Sequence, residues 1–330
     1  MDHVRLGKTG LLVSELCLGT MTFGFQCDED TSLSILDRAA EGGVTFIDTA
    51  DVYPLGGGLP TVGRTEEILG RWLKNKRDRF VIATKCVGTM GSAAWDQGGS
   101  RKHVLDAIDA SLRRLGTDYV DLYQLHSPDP ATPIDETLGA LDDIVRAGKA
   151  RYVGCSNFLA YQVARAVGRS EVLQVARFVS VQPRYNLLFR QIERELLPLC
   201  SEEGLGVVAY NPLAGGLLSG KHNPAHAPAT GTRFTIGDAA SAYQGRYWHD
   251  REFVTVEALR SVALREGISL VTLSVAWVLA HGAVTAPIVG ASRPEQLEAS
   301  LAATKFVMTD ELKSELDEIT LEYRLGDAAR

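Results

Sequence analysis

No two cysteines of this 330-residue chain stand in a CxxC spacing. The five present (Cys17, Cys27, Cys86, Cys155 and Cys200) are odd in number and widely spread, so neither a disulfide framework nor a zinc site is suggested. Positive charge is scarce. Lys and Arg number 34 against 41 Asp and Glu, a formal net charge of −7, which leaves no electrostatic footprint for nucleic acid or an anionic membrane. Long apolar runs are missing too. The longest, Leu270 to Ala280, is too short to span a bilayer and contains Thr272 and Ser274. The first residues, Met1 to Arg5, lack the basic-then-apolar pattern of a secretory signal. No charge block, low-complexity tract or linker divides the chain. These absences predict a cytoplasmic enzyme or binding protein with no nucleic-acid or membrane partner.

The composition, 45% hydrophobic and 23% charged, is that of a folded chain and argues against disorder. At roughly 150 residues per domain the length allows two domains, but an α/β barrel of this size is one. Glycine is in excess: 32 residues, above the usual ~7%, which implies many tight turns or close backbone approaches.

Residues 4–13 read as a hairpin turning at Lys8-Thr9-Gly10. Strand-like runs then alternate with helical periods. The strands are Leu16–Gly19, Thr45–Asp48, Phe80–Lys85, Tyr119–His126, Ala150–Cys155, Phe178–Gln182, Gly206–Tyr210 and Thr285–Val289. Amphipathic helices include Thr31–Glu41, Thr65–Asn75, Arg101–Leu115, Ile134–Ala147 and Arg251–Glu266. Gly42, Gly116, Gly148 and Gly204 stand where left-handed helix caps are expected. Alternating β and α allow a doubly wound sheet or a closed barrel, and the count of eight favours the barrel.

In a barrel the chemistry lies at the C-terminal ends of the strands. Here those ends carry Asp48, Lys85, His126, Ser156-Asn157, Gln182 and Tyr210. Unpaired polar groups would be costly there, so the rim reads as an active site. Asp48, Tyr53, Lys85 and His126 suit proton transfer. A lysine ammonium beside Tyr53 is expected to lower the phenol's pKa, and Asp48 to keep Lys85 charged. His126 could orient the reacting oxygen. Such a general acid, protonating an oxygen that gains electrons from elsewhere, implies a hydride donor.

In order along the chain stand Leu18-Gly19-Thr20-Met21, Phe46-Ile47-Asp48-Thr49-Ala50-Asp51-Val52-Tyr53, Ala83-Thr84-Lys85 and Asp121-Leu122-Tyr123-Gln124-Leu125-His126. Gly154-Cys155-Ser156-Asn157, Gln182-Pro183-Arg184-Tyr185-Asn186 and Ala209-Tyr210-Asn211-Pro212-Leu213 follow. With these motifs, nearly the whole chain resembles the aldo-keto reductases. The pattern from Pro212 to Lys221 is closest to bacterial members and potassium-channel β-subunits. The resemblance implies a single (β/α)8 TIM barrel spanning residues 1–330, with the N-terminal hairpin and an extra C-terminal helix. It implies NADP(H)-dependent reduction of a small-molecule carbonyl substrate, with Tyr53 as general acid, Lys85 and Asp48 in support, and His126 orienting the carbonyl.

The same resemblance implies that Ser156, Asn157 and Gln182 hold the nicotinamide carboxamide, near Asp48, while Tyr210 stacks on its ring. Gly19, Thr20 and Met21 would lie beside the cofactor. Asn211, Pro212, Leu213, Gly215 and Lys221 would wrap the pyrophosphate, with Arg233 closing over it. Gly290, Ser292, Arg293 and Gln296 would receive the adenosine end, and Ser292 with Arg293 would suit a 2′-phosphate. Two departures stand out. Ala299 and Ser300 occupy positions where family members commonly carry an acid and an Asn for adenine. The segment Pro54 to Val62 is also longer than the simplest family loop, and should shape substrate choice at the pocket mouth.

Blander readings compete. Lys85 and Asp48 could be a structural ion pair, His126 a satisfied core histidine and Tyr210 ordinary packing. Gly204-x-Gly206-x-x-Ala209 matches a dinucleotide fingerprint but leads into a strand, so it reads as a helix cap. His222 and His226 are four apart, yet Pro224 and Pro228 forbid a regular helix, and zinc is not expected. Two rival functions remain: a Schiff-base lyase using Lys85, and a cofactor-binding redox sensor with little turnover. The substrate, reaction direction, cofactor preference and oligomeric state are not legible in the sequence.

Overall fold

The computed structural model describes residues 1–237 and 239–325. Strands β1 (His3–Arg5) and β2 (Leu12–Ser14) pair antiparallel as the expected hairpin. Eight parallel strands follow: β3 (Cys17–Gly19), β4 (Phe46–Asp48), β5 (Val81–Cys86), β6 (Val120–Leu125), β7 (Ala150–Ser156), β8 (Phe178–Gln182), β9 (Gly206–Tyr210) and β10 (Val284–Val289). They close into a barrel in chain order, with β10 pairing both β9 and β3. This is the (β/α)8 architecture.

Helices α1 (Glu29–Glu41), α2 (Arg64–Leu73), α3 (Arg101–Leu115), α4 (Ile134–Arg146), α5 (Ala160–Leu173) and α6 (Leu196–Glu203) return each strand to the next. Between β9 and β10 lie α7 (Ala240–Tyr247), α8 (Asp250–Arg265) and α9 (Leu270–Leu279); only α8 is legible from helical period, because α9 is apolar on nearly every side and buried. After β10 come α10 (Leu297–Ala302), α11 (Asp310–Ile319) and α12 (Glu322–Leu325), so the expected extra C-terminal helix is a pair. Buried Arg190 ties that pair to the barrel, donating to Glu193 Oε1, the Asp317 carbonyl and Thr320 Oγ1, each at 2.8 Å. No single described helix is long and apolar enough to cross a membrane.

The helix caps follow the glycines with one correction. Gly116 and Gly204 are left-handed caps, and Gly148 is left-handed just after α4. Gly42 is instead right-handed at φ −72°, and Gly43 makes the left-handed turn at φ +86°. Gly204 caps α6 while Gly206 opens β9 against Leu6 and Gly7 of the hairpin, so the fingerprint-like segment is structural.

The barrel strands are buried on both faces, which is why they read as continuous apolar runs. Outward residues such as Ile47, Ile82, Tyr123 and Val207 pack with helix residues such as Leu36, Leu69, Ile108 and Leu141. Inward residues Cys17, Phe46, Ala83, Leu122, Val208 and Ala286 fill the barrel, and Leu6 and Val13 of the hairpin join them. The hairpin therefore plugs the N-terminal mouth. Burying a large aliphatic side chain contributes roughly 1.5–3 kcal/mol, so both layers are strongly specified. Side chains alternate along a strand. Two residues beyond Phe46, Ala83, Leu122 and Val208, the inward face delivers Asp48, Lys85, Gln124 and Tyr210 to the open end.

Candidate active site

Lys85 is fully buried at the open end of the barrel. Its ammonium donates to Asp48 Oδ2 at 2.6 Å, to the Thr49 carbonyl at 2.9 Å and to Tyr53 Oη at 3.5 Å. Its three protons thus meet three acceptors. The other carboxylate oxygen of Asp48 accepts from Gln182 Nε2 at 2.8 Å and Gln124 Nε2 at 3.3 Å. A buried ion pair tolerates its desolvation only when its remaining hydrogen-bonding capacity is filled in this way. The Tyr53 ring meets His126 edge to face, with centroids 5.6 Å apart. The main chain holds His126 in place. Its N–H donates to the Cys86 carbonyl at 2.9 Å, and its carbonyl accepts from Asn157 Nδ2 at 2.8 Å.

Electrostatics set the protonation states. Burial pushes the Lys85 pKa down, but the charge of Asp48 and then Tyr53 more than offset it, leaving a net rise. Tyr53 corrects the sequence expectation. Lys85 does lower its pKa, but burial, joined by the charge of Asp48, raises it further, so the phenol stays protonated. His126 is pushed down to about 3 by burial and then by Lys85, and is neutral at physiological pH.

The amide-bearing residues gather next to this group. Ser156 Oγ donates to the Gln182 carbonyl at 2.9 Å, the Asn157 N–H donates to the same oxygen at 3.2 Å, and Tyr210 Oη donates to Asn157 Oδ1 at 2.8 Å. Gln182 joins both clusters through its bond to Asp48. Thr20 is buried and donates to the Asp48 carbonyl at 2.9 Å, while Met21 beside it is half-buried. Gly19 pairs with Asp48, and Gly290 faces the Gly19 carbonyl.

A third group lines the segment after β9. Asn211, Ala214, Gly215 and Gly216 all have positive φ, and Asn211 Oδ1 accepts from the Gly215 N–H at 2.6 Å. Pro212 is buried and Leu213 half-buried in this turn. A Cβ on Gly215 would lie 2.6 Å from the Tyr243 ring, so the position admits only glycine. The Lys221 pKa is lowered by desolvation and then by the neighbouring charge of Arg293. Arg233 lies 5.9 Å from the Tyr243 ring. Gln296 Oε1 accepts from the Ser292 N–H at 2.8 Å and from its hydroxyl at 3.2 Å. Ala299 has no polar side chain, and Ser300 is buried.

Over residues 15–321 the sequence matches the aldo/keto reductase family. The chain belongs to this family. It is 37% identical over 326 residues to a Bacillus subtilis protein named uncharacterized oxidoreductase YrpG, covering 97% of this chain and 96% of that one. It is 36% identical to a probable voltage-gated potassium channel subunit beta of Arabidopsis thaliana, covering 93% and 92% of the two chains. It is also 31% identical to the versiconal hemiacetal acetate reductase of Aspergillus parasiticus, over 96% of each. An oxidoreductase role follows from membership of the aldo/keto reductases.

Within this aldo/keto reductase, several site residues escape reading by motif. Gln124 shares Asp48 with Gln182, and its position two residues before His126 on the inward face was the available signal. Tyr243 comes from α7, a helix without an amphipathic period to reveal it. Asp51 is fully buried with neither carboxylate oxygen partnered among the described residues. Burial, then Glu66, push its pKa well up. Glu66 accepts from Thr84 Oγ1 at 2.6 Å and Arg114 Nε at 2.7 Å on the outer face of β5. His222 does packing work: its ring lies edge to face on Phe234 at 5.0 Å and Trp248 at 5.3 Å. Trp248 also packs on Phe253, whereas Trp95 is exposed.

Proposed function

We propose that this chain is an NADPH-dependent reductase of aldehydes or ketones, with Tyr53 as the general acid. The observation that carries the reading is Lys85, buried and bound at once to Asp48 and to the hydroxyl of Tyr53. The donor set fits a dinucleotide. Ser156, Asn157 and Gln182 present amide and hydroxyl groups suited to a carboxamide. Lys221, Arg233 and Arg293 make no ion pair among the described residues, which leaves three cations for the phosphates. Ser292 and Arg293 would take a 2′-phosphate. When bound, the nicotinamide supplies a hydride to the carbonyl carbon.

The chain's own groups handle the proton. Tyr53, kept protonated by burial, donates to the carbonyl oxygen as charge builds there. Lys85 stabilises the phenolate that remains, and Asp48 keeps Lys85 charged. Neutral His126 offers a ring N–H to the same oxygen and fixes the carbonyl's direction. The five cysteines are buried free thiols, in keeping with a cytoplasmic location.

A cofactor-binding subunit of a partner complex, sensing redox state with little turnover, is the second reading; the Arabidopsis relative is named a probable channel subunit. A Schiff base on Lys85 fits poorly: a lysine whose pKa is raised and whose three protons are engaged is a weak nucleophile. Single-turnover fluorescence of bound NADPH with aldehydes tests the proposal. Rapid loss of signal supports a reductase; tight binding without turnover supports the sensor.

A further inference from the structure

Among the described residues, Val87 is the one β-branched side chain on a left-handed backbone, at φ +93°. That conformation is costly for such a residue and persists only where the surroundings dictate it. Here they do. Its side chain is buried in the outer core, and its carbonyl accepts from the Gly98 N–H at 2.8 Å. The two carbonyls before it are engaged as well. That of Lys85 accepts from the Asp51 N–H at 3.1 Å, and that of Cys86 from the His126 N–H at 2.9 Å. Three successive carbonyls therefore tie down the Tyr53 segment, His126 and the loop after β5.

The turn at Val87 sets Gly88 against Val52, the residue before Tyr53. A Cβ on Gly88 would lie 2.2 Å from Val52 Cγ1, so nothing larger than glycine fits while Val52 keeps its place. Gly88 itself has no positive φ; the close approach, and not the backbone, demands its small size. Tyr53 depends on that approach. From Asp48 the main chain tracks β5, with the Thr49 N–H on the Ala83 carbonyl at 2.9 Å and the Asp51 N–H on that of Lys85. The Val52–Gly88 contact extends this track to the residue that adjoins Tyr53. The Tyr53 hydroxyl has one polar partner among the described residues, Lys85 Nζ at 3.5 Å. That separation is long for a hydrogen bond, so a small displacement parts the two groups.

We propose that Val52 and Gly88 are positioning residues, and that the seat between them holds the Tyr53 hydroxyl on Lys85. Its catalytic consequence rests on the reductase reading above, in which Tyr53 is the general acid. The test uses the full chain, Gly88→Ala, and the double variant Gly88→Ala/Val52→Ala. Gly88→Ala should lower kcat for carbonyl reduction by about 10- to 10²-fold, the scale of a misplacement of about an ångström, with NADPH affinity retained. Val52→Ala removes the methyl that the new one meets, so the double variant should regain most of the lost kcat.

A parallel arm needs no turnover. Fluorine NMR of protein carrying 3-fluorotyrosine follows the ionisation of Tyr53, its signal identified by loss in Tyr53→Phe. Lys85 lowers the pKa of this phenol, so withdrawal from Lys85 in Gly88→Ala should move the ionisation to higher pH by about one unit. The double variant should return it. An unmoved ionisation overturns the proposal, whatever happens to kcat. So does an active wild type whose kcat Gly88→Ala leaves unchanged, since the contact would then be packing alone. A shifted and rescued ionisation in a protein that reduces no carbonyl would leave the seat standing and overturn the reductase reading.

Discussion

Gln182 donates to Asp48 Oδ1 at 2.8 Å, on the carboxylate oxygen that Lys85 leaves free, across 134 residues of sequence. One carboxylate therefore serves both the proton-handling group and the amide cluster. The two functions assigned to the rim are mechanically one unit, and damage to Asp48 should be felt in both.

Asp48→Asn is expected to destabilise the fold by about 3–5 kcal/mol, because Lys85 would remain buried without its counter-charge. The double variant Asp48→Asn/Lys85→Met should recover part of that loss, since no charge is then stranded. Urea unfolding of both proteins checks this, and equal losses would contradict it.

Tyr53→Phe should lower kcat for carbonyl reduction by at least ~10²-fold, the scale of a lost general acid, while NADPH still binds. Steady-state turnover with parallel fluorescence titration of NADPH measures both. Near-wild-type kcat would remove Tyr53 from its role.

His126 is lowered to about 3 from an ordinary 6.5. The sign follows from proton counting: below pH 6.5 the unfolded chain binds a proton that the folded chain refuses. This group therefore takes stability away as pH falls from about 6.5 toward 3, at up to about 1.4 kcal/mol per pH unit. His126→Gln should flatten that part of the stability profile. An unchanged slope between pH 6 and 4 in urea titrations would count against the assignment.

Gly7 has φ +57°, and a Cβ there would lie 2.4 Å from the Gly204 carbonyl oxygen. Gly116 has φ +63° but open space around its Cβ position. Gly7→Ala should cost more, about 2–4 kcal/mol from strain and clash together, against about 1 kcal/mol for Gly116→Ala. Thermal melts of the two variants decide it. A reversed order would mean that the hairpin does not seat firmly in the barrel mouth.

Arg293→Ala should weaken NADPH more than NADH, because Arg293 sits beside Lys221 and Ser292 where a 2′-phosphate would lie. Equal losses for the two cofactors, by fluorescence titration, would withdraw that role.

The strands and their order were legible because burial on both faces leaves apolar runs between cap and turn residues. Asp48, Lys85, His126, Gln182 and Tyr210 were legible because polar side chains at strand ends have no reason to be there except chemistry or pairing. Gln124 lies within the run Asp121 to His126, yet its partner Asp48 is on another strand, and no local pattern announces a shared carboxylate. The net rise at Tyr53 is not legible for a similar reason: sequence shows which charges are near in order, but not how deeply a phenol is buried.

The sequence by itself determined the alternation of strand and helix, the hydrophobic layers and the set of groups at the rim, because these depend on local periodicity. Only the tertiary structure decided that the hairpin plugs one mouth of the barrel and that Asp48 is shared by Lys85, Gln124 and Gln182. Those relations join residues far apart in the chain, and closure of the barrel is what brings them within reach of one another.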